Sequence, residues 1–384
     1  MRTERYYTAE RVGQGHPDKV CDAISDIVLD EYLTVDPAAR VAVETLGSKE
    51  GIVIAGEVTS KMPVTHNYLR SKINDYLRHV GYYDNLPIEF RLVAQSPEIA
   101  QAVLAEGQAD ETELGAGDQG IAVGYASNEK FFKYLPADFG WCTHLLQVHK
   151  DVNKSLTPRT LTTHERALGL DFKVQVTTDA MTDGVPLHII MSTSHDPSIS
   201  VETVRTDLRA GILQMLKDSR MCAKSMPQID INPAGAWHQY GFASDTGLTG
   251  RKIVADAYGP SVPVGGGAWS GKDPTKVDRS GALFARWIAR QVIQKFAVQQ
   301  ALVSLAYVIG QRSPSFVDVA YTDAFDCEEH DAIQDYAQRL VGMYGSVSGM
   351  IKLFNLRDPM WKLYAAAGPF ANNAAPWDVR GAAI

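Results

Sequence analysis

The chain has 384 residues, 45% hydrophobic and 21% charged, the proportions of an ordinary globular protein with room for two or three domains. A formal net charge of −8 argues against a nucleic-acid binder held by bulk positive charge. Cys21, Cys142, Cys222 and Cys327 lie far apart with no Cys-x-x-Cys pair, which disfavours a zinc knuckle and suits a reducing compartment. Residues 1–7 lack the apolar core of a signal peptide, and no apolar run reaches the ~20 residues of a membrane span. A cytoplasmic protein without membrane or nucleic-acid partners is expected.

His16 to Leu33 reads as a helix, with Pro17 in the first turn, where its missing N–H costs nothing. Val20, Ile24, Ile27 and Val28 recur on one face at helical spacing. Asp18, Asp22, Asp26 and Asp30 fall four apart on another; Asp26 and Asp30 are expected to be solvated, whereas Asp18 stands beside His16 and Lys19. Val41–Ser48 and Gly51–Ser60 read as paired strands joined by a tight turn, and Met62–Val80 as a helix. The stretch from Gln95 to Glu113 carries five acids and reads as a mobile loop, a candidate lid.

After Gly120 the pattern restarts: a strand at Ile121–Ser127, a helix at Trp141–Lys154, paired strands at Phe172–Thr178 and Val185–Ser194, and a helix at Val201–Lys217. A third unit follows, with a helix at Gly281–Gln299 and a strand at Leu302–Ile309. Strands arranged as hairpins and packed by helices give an α+β class, repeated about three times. The expected division is an N-terminal unit at 1–98, the lid at 99–113, a central unit at 114–230 and a C-terminal unit at 231–384.

Three stretches carry phosphate chemistry: Gly15-His16-Pro17-Asp18-Lys19, Gly115 to Gly120, and Gly265 to Arg279. In the last, three glycines free the backbone to approach a ligand. Lysines, an arginine and aspartates follow, which suits a polyanion bridged by a divalent cation. Gly266–Lys272 has Walker-A spacing, but Asp273 and Pro274 replace the hydroxyl residue and the helix start, so a P-loop NTPase is the runner-up. Each residue also has a plain structural role available. His16 could cap its helix, and Asp18 could stabilise its N-terminus by roughly 0.3–1 kcal/mol. Glu44 and Glu57 could face solvent from strands, and Arg251-Lys252 or Lys272 and Lys276 could be surface charges. His144, His149, His164, His188 and His195 show no ligand spacing.

Together with Gly247-Leu248-Thr249-Gly250-Arg251-Lys252 and Ile231-Asn232-Pro233, these motifs resemble the S-adenosylmethionine synthetase (methionine adenosyltransferase) family, from about Thr8 to about Gly368. The resemblance implies three similar α+β units and a homodimer or homotetramer with shared active sites. It implies transfer of the adenosyl group of ATP to the sulfur of L-methionine, then cleavage of triphosphate to pyrophosphate and phosphate. His16, Lys173, Arg251 and Lys272 would be catalytic. ATP would also meet Asp171, Phe172, Trp237, Asp245, Lys252 and Ala268, and methionine would meet Glu57, Gln95, Asp245 and Lys276. Asp18 and Asp278 would hold Mg²⁺, with two ions per site, and Glu44 would hold K⁺; Glu10 and Asp118 match polar positions near the substrates. Trp269 replaces the family's usual Phe, Gln14 its Glu, and Ala234-Gly235-Ala236-Trp237 its Thr-Gly-Arg-Phe, while Ser96–Glu113 lacks any Arg or Lys. A different Mg²⁺-dependent ATP-using enzyme, such as a kinase, and a non-catalytic regulatory relative are the other readings.

Overall fold

The structure, a computed structural model, describes residues 5–82, 85–96, 114–157, 166–182, 184–219, 226–296, 298–322, 330–370 and 374–381. The expected lid at 99–113, His164, Cys222 and Cys327 lie outside the described residues. In chain order the strands are β1 (Tyr6–Val12), β2 (Arg40–Ser48), β3 (Gly51–Thr59), β4 (Ile88–Val93), β5 (Gly120–Ser127), β6 (Leu168–Asp179), β7 (Pro186–His195), β8 (Gln228–Ile231), β9 (Gly247–Leu248), β10 (Gln300–Tyr307) and β11 (Phe316–Thr322). The helices that matter below are α1 (Pro17–Val35), α2 (His66–Val80), α3 (Ala137–Leu156), α4 (Val201–Asp218), α5 (Ile253–Ala257), α6 (Val277–Lys295), α7 (His330–Tyr344), α8 (Val347–Phe354) and α9 (Trp361–Ala367).

Helices and sheets together confirm the α+β class. The β2–β3 hairpin pairs Ser48 with Gly51 at its tip, as the turn chemistry predicts. Helix α2 starts four residues later than its apolar pattern, because the Thr65 side chain accepts from the Tyr68 N–H and caps it there. Helix α6 starts four residues earlier, directly after the glycine–lysine loop, and so places Asp278 in its first turn.

Three sheets run β4-β3-β2-β9, β1-β6-β7-β8 and β11-β10-β5. None is confined to one span of the expected division. Strand β1 pairs along its whole length with β6, from Tyr6↔Asp179 to Val12↔Lys173. Strand β5 pairs with β10, and β9 returns from Gly247-Leu248 to the edge of β2. Each sheet therefore borrows a strand from a distant part of the chain.

Helix α1 lies under the inner face of the first sheet, where Val41, Val43, Ile52 and Ile54 are buried beside its Val20, Ile24 and Val28. The expectation that Asp26 and Asp30 are solvated is wrong: Asp26 is 0% exposed and Asp30 5%. Each carboxylate instead meets donors from far along the chain. Asp18 accepts from the Leu248 N–H (2.9 Å), and Asp22 from the Gly250 N–H (2.9 Å). Asp26 accepts from the Gly271 N–H (2.8 Å) and from Arg279. Asp30 takes the Trp361 and Lys362 N–H groups, at 2.8 and 3.1 Å, and so caps α9. Burial of a carboxylate is tolerated only with such partners.

Burial pushes the Asp30 carboxyl up to about 7, with the neighbouring Asp26 charge adding to the rise against the two α9 amides. Because the folded value lies above the ordinary one, its contribution to stability is full at low pH and fades as pH rises through 7. We predict that Asp30→Ala costs about 2 kcal/mol in urea unfolding, more at about pH 5 than at about pH 8. A solvated aspartate would change stability by less than about 0.5 kcal/mol.

Candidate active site

The Gly15–Lys19 run leaves β1 and stays on β6, with Gly13 N–H donating to the Phe172 carbonyl and Gly15 N–H to the Leu170 carbonyl (2.8 and 2.9 Å). His16 is the N-cap of α1: its Nδ1 accepts from the Asp18 N–H at 3.2 Å. The structural role available to it from sequence is thus real, and it has a chemical consequence. With Nδ1 accepting, the ring proton sits on Nε2. Burial, helped by the Lys252 charge and opposed by Asp18, lowers its pKa to about 4. His16 is a neutral imidazole with an N–H to offer.

Asp18 is 1% exposed and lies between cations. Lys252 Nζ is 2.6 Å from Oδ2, and Arg251 Nε is 3.5 Å from Oδ1. Burial opposes its ionisation, but the Lys252 and Leu248 hydrogen bonds prevail and hold it below the usual carboxylate range. Lys173 and Asp245 belong to the same neighbourhood, since their charges also act on His16. Lys173 reaches Glu10 across the β1–β6 pair at 3.6 Å, with both side chains largely exposed. Asp171 is buried and accepts from the Gly241 N–H (2.9 Å); burial, reinforced by Asp245, raises it to about 7. Gly241 opens the loop that follows Trp237, whose carbonyl in turn accepts from the His195 N–H (2.9 Å).

A second constellation grows from the glycine–lysine loop. Lys272 Nζ lies 2.8 Å from Asp278 Oδ2, both side chains half-buried. A Cβ on Gly267 would fall 1.7 Å from Asp278 Oδ1, so only glycine lets the loop pass over that carboxylate. The Gly117 N–H donates to the Thr275 carbonyl (3.1 Å), which ties the Gly115–Gly120 motif to this loop. Asp118 is exposed beside it. Lys272 bridges Ala42 of β2, and Ala42 is paired with Glu57 of β3. Directly opposed residues share a sheet face, so Lys272 and Glu57 stand together, with Glu44 two residues along β2 on the same face. That face is opposite to α1, because Val41 and Val43 between them are buried against the helix side. Gln95, just beyond β4, donates its N–H to Thr59 Oγ1 (3.3 Å), and its buried Oε1 has no partner.

The described contacts thus form two half-sites: His16, Asp18, Lys173, Asp245, Arg251 and Lys252 at the start of α1, and Lys272, Asp278 and Glu57 across the first sheet. Relatives match along nearly the whole chain. The sequence models of the N-terminal, central and C-terminal domains of S-adenosylmethionine synthetase match residues 4–105, 113–237 and 240–379. An S-adenosylmethionine synthase of Zymomonas mobilis is 36% identical over 98% of this chain and 97% of its own. The chain belongs to the S-adenosylmethionine synthetase family. Another S-adenosylmethionine synthase, of Methylobacterium radiotolerans, is 38% identical over 96% of this chain and 93% of its own. The structure described as an unusual S-adenosylmethionine synthetase from Campylobacter jejuni superposes with a TM-score of 0.81 at 29% identity, over 98% of this chain and 97% of that one.

Phe172, Lys276 and Trp269 have side chains engaged within the protein. The Phe172 ring is buried and stacked on His149 at 3.7 Å, so it can offer ATP only its backbone. Lys276 is buried with its ammonium on Asp273, within the loop it belongs to. Trp269 is 7% exposed and packs edge-on against Phe370, which makes it core rather than ligand surface. Ala268 is half-buried against Gly250, beside Arg251.

Sequence reasoning missed Asp22, Asp26, Asp256, Asp273 and Arg279, the buried charges behind both half-sites. Lys19, for instance, is 1% exposed between Asp22 and Asp256. The signal was present: an acid stripe meant for water is usually laced with basic residues four positions on, and α1 has only Lys19. For His16 we predict an imidazole that stays neutral down to about pH 4, with the proton on Nε2. Nitrogen-15 NMR of the histidines checks both points; a ring titrating near its ordinary value would contradict this reading.

Proposed function

We infer that the protein is an S-adenosylmethionine synthase: it transfers the adenosyl group of ATP to the sulfur of L-methionine and cleaves the released triphosphate to pyrophosphate and phosphate. What carries the reading is the pairing of each cationic cluster with a lone carboxylate, Lys252 and Arg251 with Asp18 and Lys272 with Asp278, in a chain whose full-length relatives bear that name. The sulfur of methionine is a neutral nucleophile and needs no general base. Its lone pair forms the new S–C5′ bond as the C5′–O bond breaks, and that electron pair leaves on the triphosphate. The growing negative charge is the barrier, so preorganised cations do most of the catalysis. Lys173, Arg251, Lys252 and Lys272 supply them. His16, neutral with Nε2–H free, donates to the departing oxygen without giving up its proton. Trp237 presents its ring for adenine and Asp245 a carboxylate for the methionine ammonium. Glu57 and the unpartnered Gln95 amide oxygen lie on the methionine side.

Among the described residues no three or more His, Cys, Asp or Glu side chains form a metal cage. That suits Mg²⁺, which is commonly held by one or two carboxylates plus substrate phosphates. Asp18 and Asp278 are the hard oxygen donors of that kind, and each already rests against a cation. Bound Mg²⁺ would neutralise the phosphates; Lys252 and Lys272 would then turn to phosphate oxygens. Glu44, exposed on the open sheet face, is the candidate for K⁺.

The half-sites lie on opposite sides of one sheet, so a single ATP needs both only if a second copy supplies one. We therefore read the site as shared between two copies, in a homodimer alone or paired into a tetramer. Among the described residues no helix is long and apolar enough to cross a membrane, and we place the enzyme in the cytoplasm.

Incubation with ATP, Mg²⁺, K⁺ and L-methionine should give a sulfonium product with pyrophosphate and phosphate by mass spectrometry. ADP formed regardless of methionine would indicate a kinase-like enzyme, and intact ATP a regulatory relative. Lys272→Ala and Asp278→Asn should each lower kcat by about 10³-fold with the fold unchanged. His16→Ala mixed with Lys272→Ala, after subunit exchange, should recover about a quarter of wild-type activity, because half of the dimers then hold one intact site. No recovery on mixing would refute the shared site.

A further inference from the structure

We propose that Asp26, deep under the first sheet, is a positioning residue that sets the Lys272–Asp278 pair through Arg279. The inference rests on the functional reading above and concerns residues that contact no substrate. One Asp26 carboxylate holds both ends of the loop: Oδ1 accepts from the Gly271 N–H (2.8 Å), and Arg279 Nη2 lies 2.8 and 2.7 Å from the two oxygens. Gly271 directly precedes Lys272, and Arg279 directly follows Asp278. The two working side chains are therefore each one residue away from a bond to the same buried anion.

The loop has little freedom to find another arrangement. Gly271 has φ +78°, and a Cβ there would fall 2.0 Å from the Val43 carbonyl oxygen. Its carbonyl accepts from the Val43 N–H (3.0 Å), while Asp273 Oδ2 accepts from the Val41 N–H (2.8 Å). Arg279 is 6% exposed, and its guanidinium lies 4.5 Å over the Trp361 ring, at the start of the helix that Asp30 caps. Fixing Gly271 and Arg279 holds the backbone from which the Lys272 ammonium and the Asp278 carboxylate meet. Removing the Asp26 charge leaves Arg279 without its counter-ion and frees the Asp278 end, while the amide oxygen of an asparagine can still hold the Gly271 N–H.

Asp26→Asn should lower kcat roughly 10- to 100-fold, as loss of a residue supporting a site ligand commonly does, with KM for methionine unchanged. The deciding measurement is a double-mutant cycle with Lys272→Ala, read from residual product by mass spectrometry. If Asp26 acts through the loop, Asp26→Asn adds little on the Lys272→Ala background. If it supports only stability, the two losses multiply, and the proposal fails. It also fails if Asp26→Asn turns over like the wild type. Should Asp26→Asn not fold, Arg279→Lys replaces it in the same cycle, keeping the charge but losing the reach of the guanidinium. Wild-type protein that makes no sulfonium product would refute the functional reading instead, so the two failures are distinguishable.

Discussion

Everything near the two half-sites hangs on one helix whose acids point inward. Asp18, Asp22, Asp26 and Asp30 of α1 reach donors near residues 248, 250, 271 and 361. Little more than three turns of helix thereby set the order of three segments that are remote in sequence, around residues 248–250, 271 and 361. A buried carboxylate with its donors removed is costly, on the order of several kcal/mol, so each bond excludes alternative dockings of the segment it holds. The ladder also measures distance. Asp18 serves one half-site and Asp26 the other, two turns or ~12 Å apart along the same rod.

The cations of the site are held in waiting by carboxylates. Lys252 and Arg251 share Asp18, which halves their charge, and Lys272 is neutralised by Asp278. This solves a problem of storage: uncompensated positive charges within one cluster would repel one another. The carboxylate partners are also the residues suited to magnesium, so in the proposed reaction a metal triphosphate would exchange one set of ion pairs for another. His16 takes no part in that exchange because burial keeps it neutral.

Much of the fold was legible because local signals agreed. The β2–β3 hairpin and the course of α1 could each be read from spacing alone. The exchanged strands could not, since nothing in Tyr6–Val12 names β6 as its partner. The burial of Asp26 and Asp30 was misread because a stripe of acids looks the same whether it faces water or backbone amides. The separation of Lys272 from Asp18 by a whole sheet was equally silent, since strand faces are decided by pairing partners. Nor does the sequence show that the Phe172 ring fills the core against His149.

The interlaced sheets also bear on how the chain is made. Strand β1 has no strand partner until residues 168–179 follow, and Asp30 has no backbone donors to its carboxylate until residues 361 and 362 are made. During synthesis the first sheet and its acidic helix must wait, unfinished, for nearly the entire chain. Contacts so distant in sequence slow folding and expose intermediates to aggregation. Loss of the segment around residues 361 and 362 would therefore also strip the buried Asp30 of its donors.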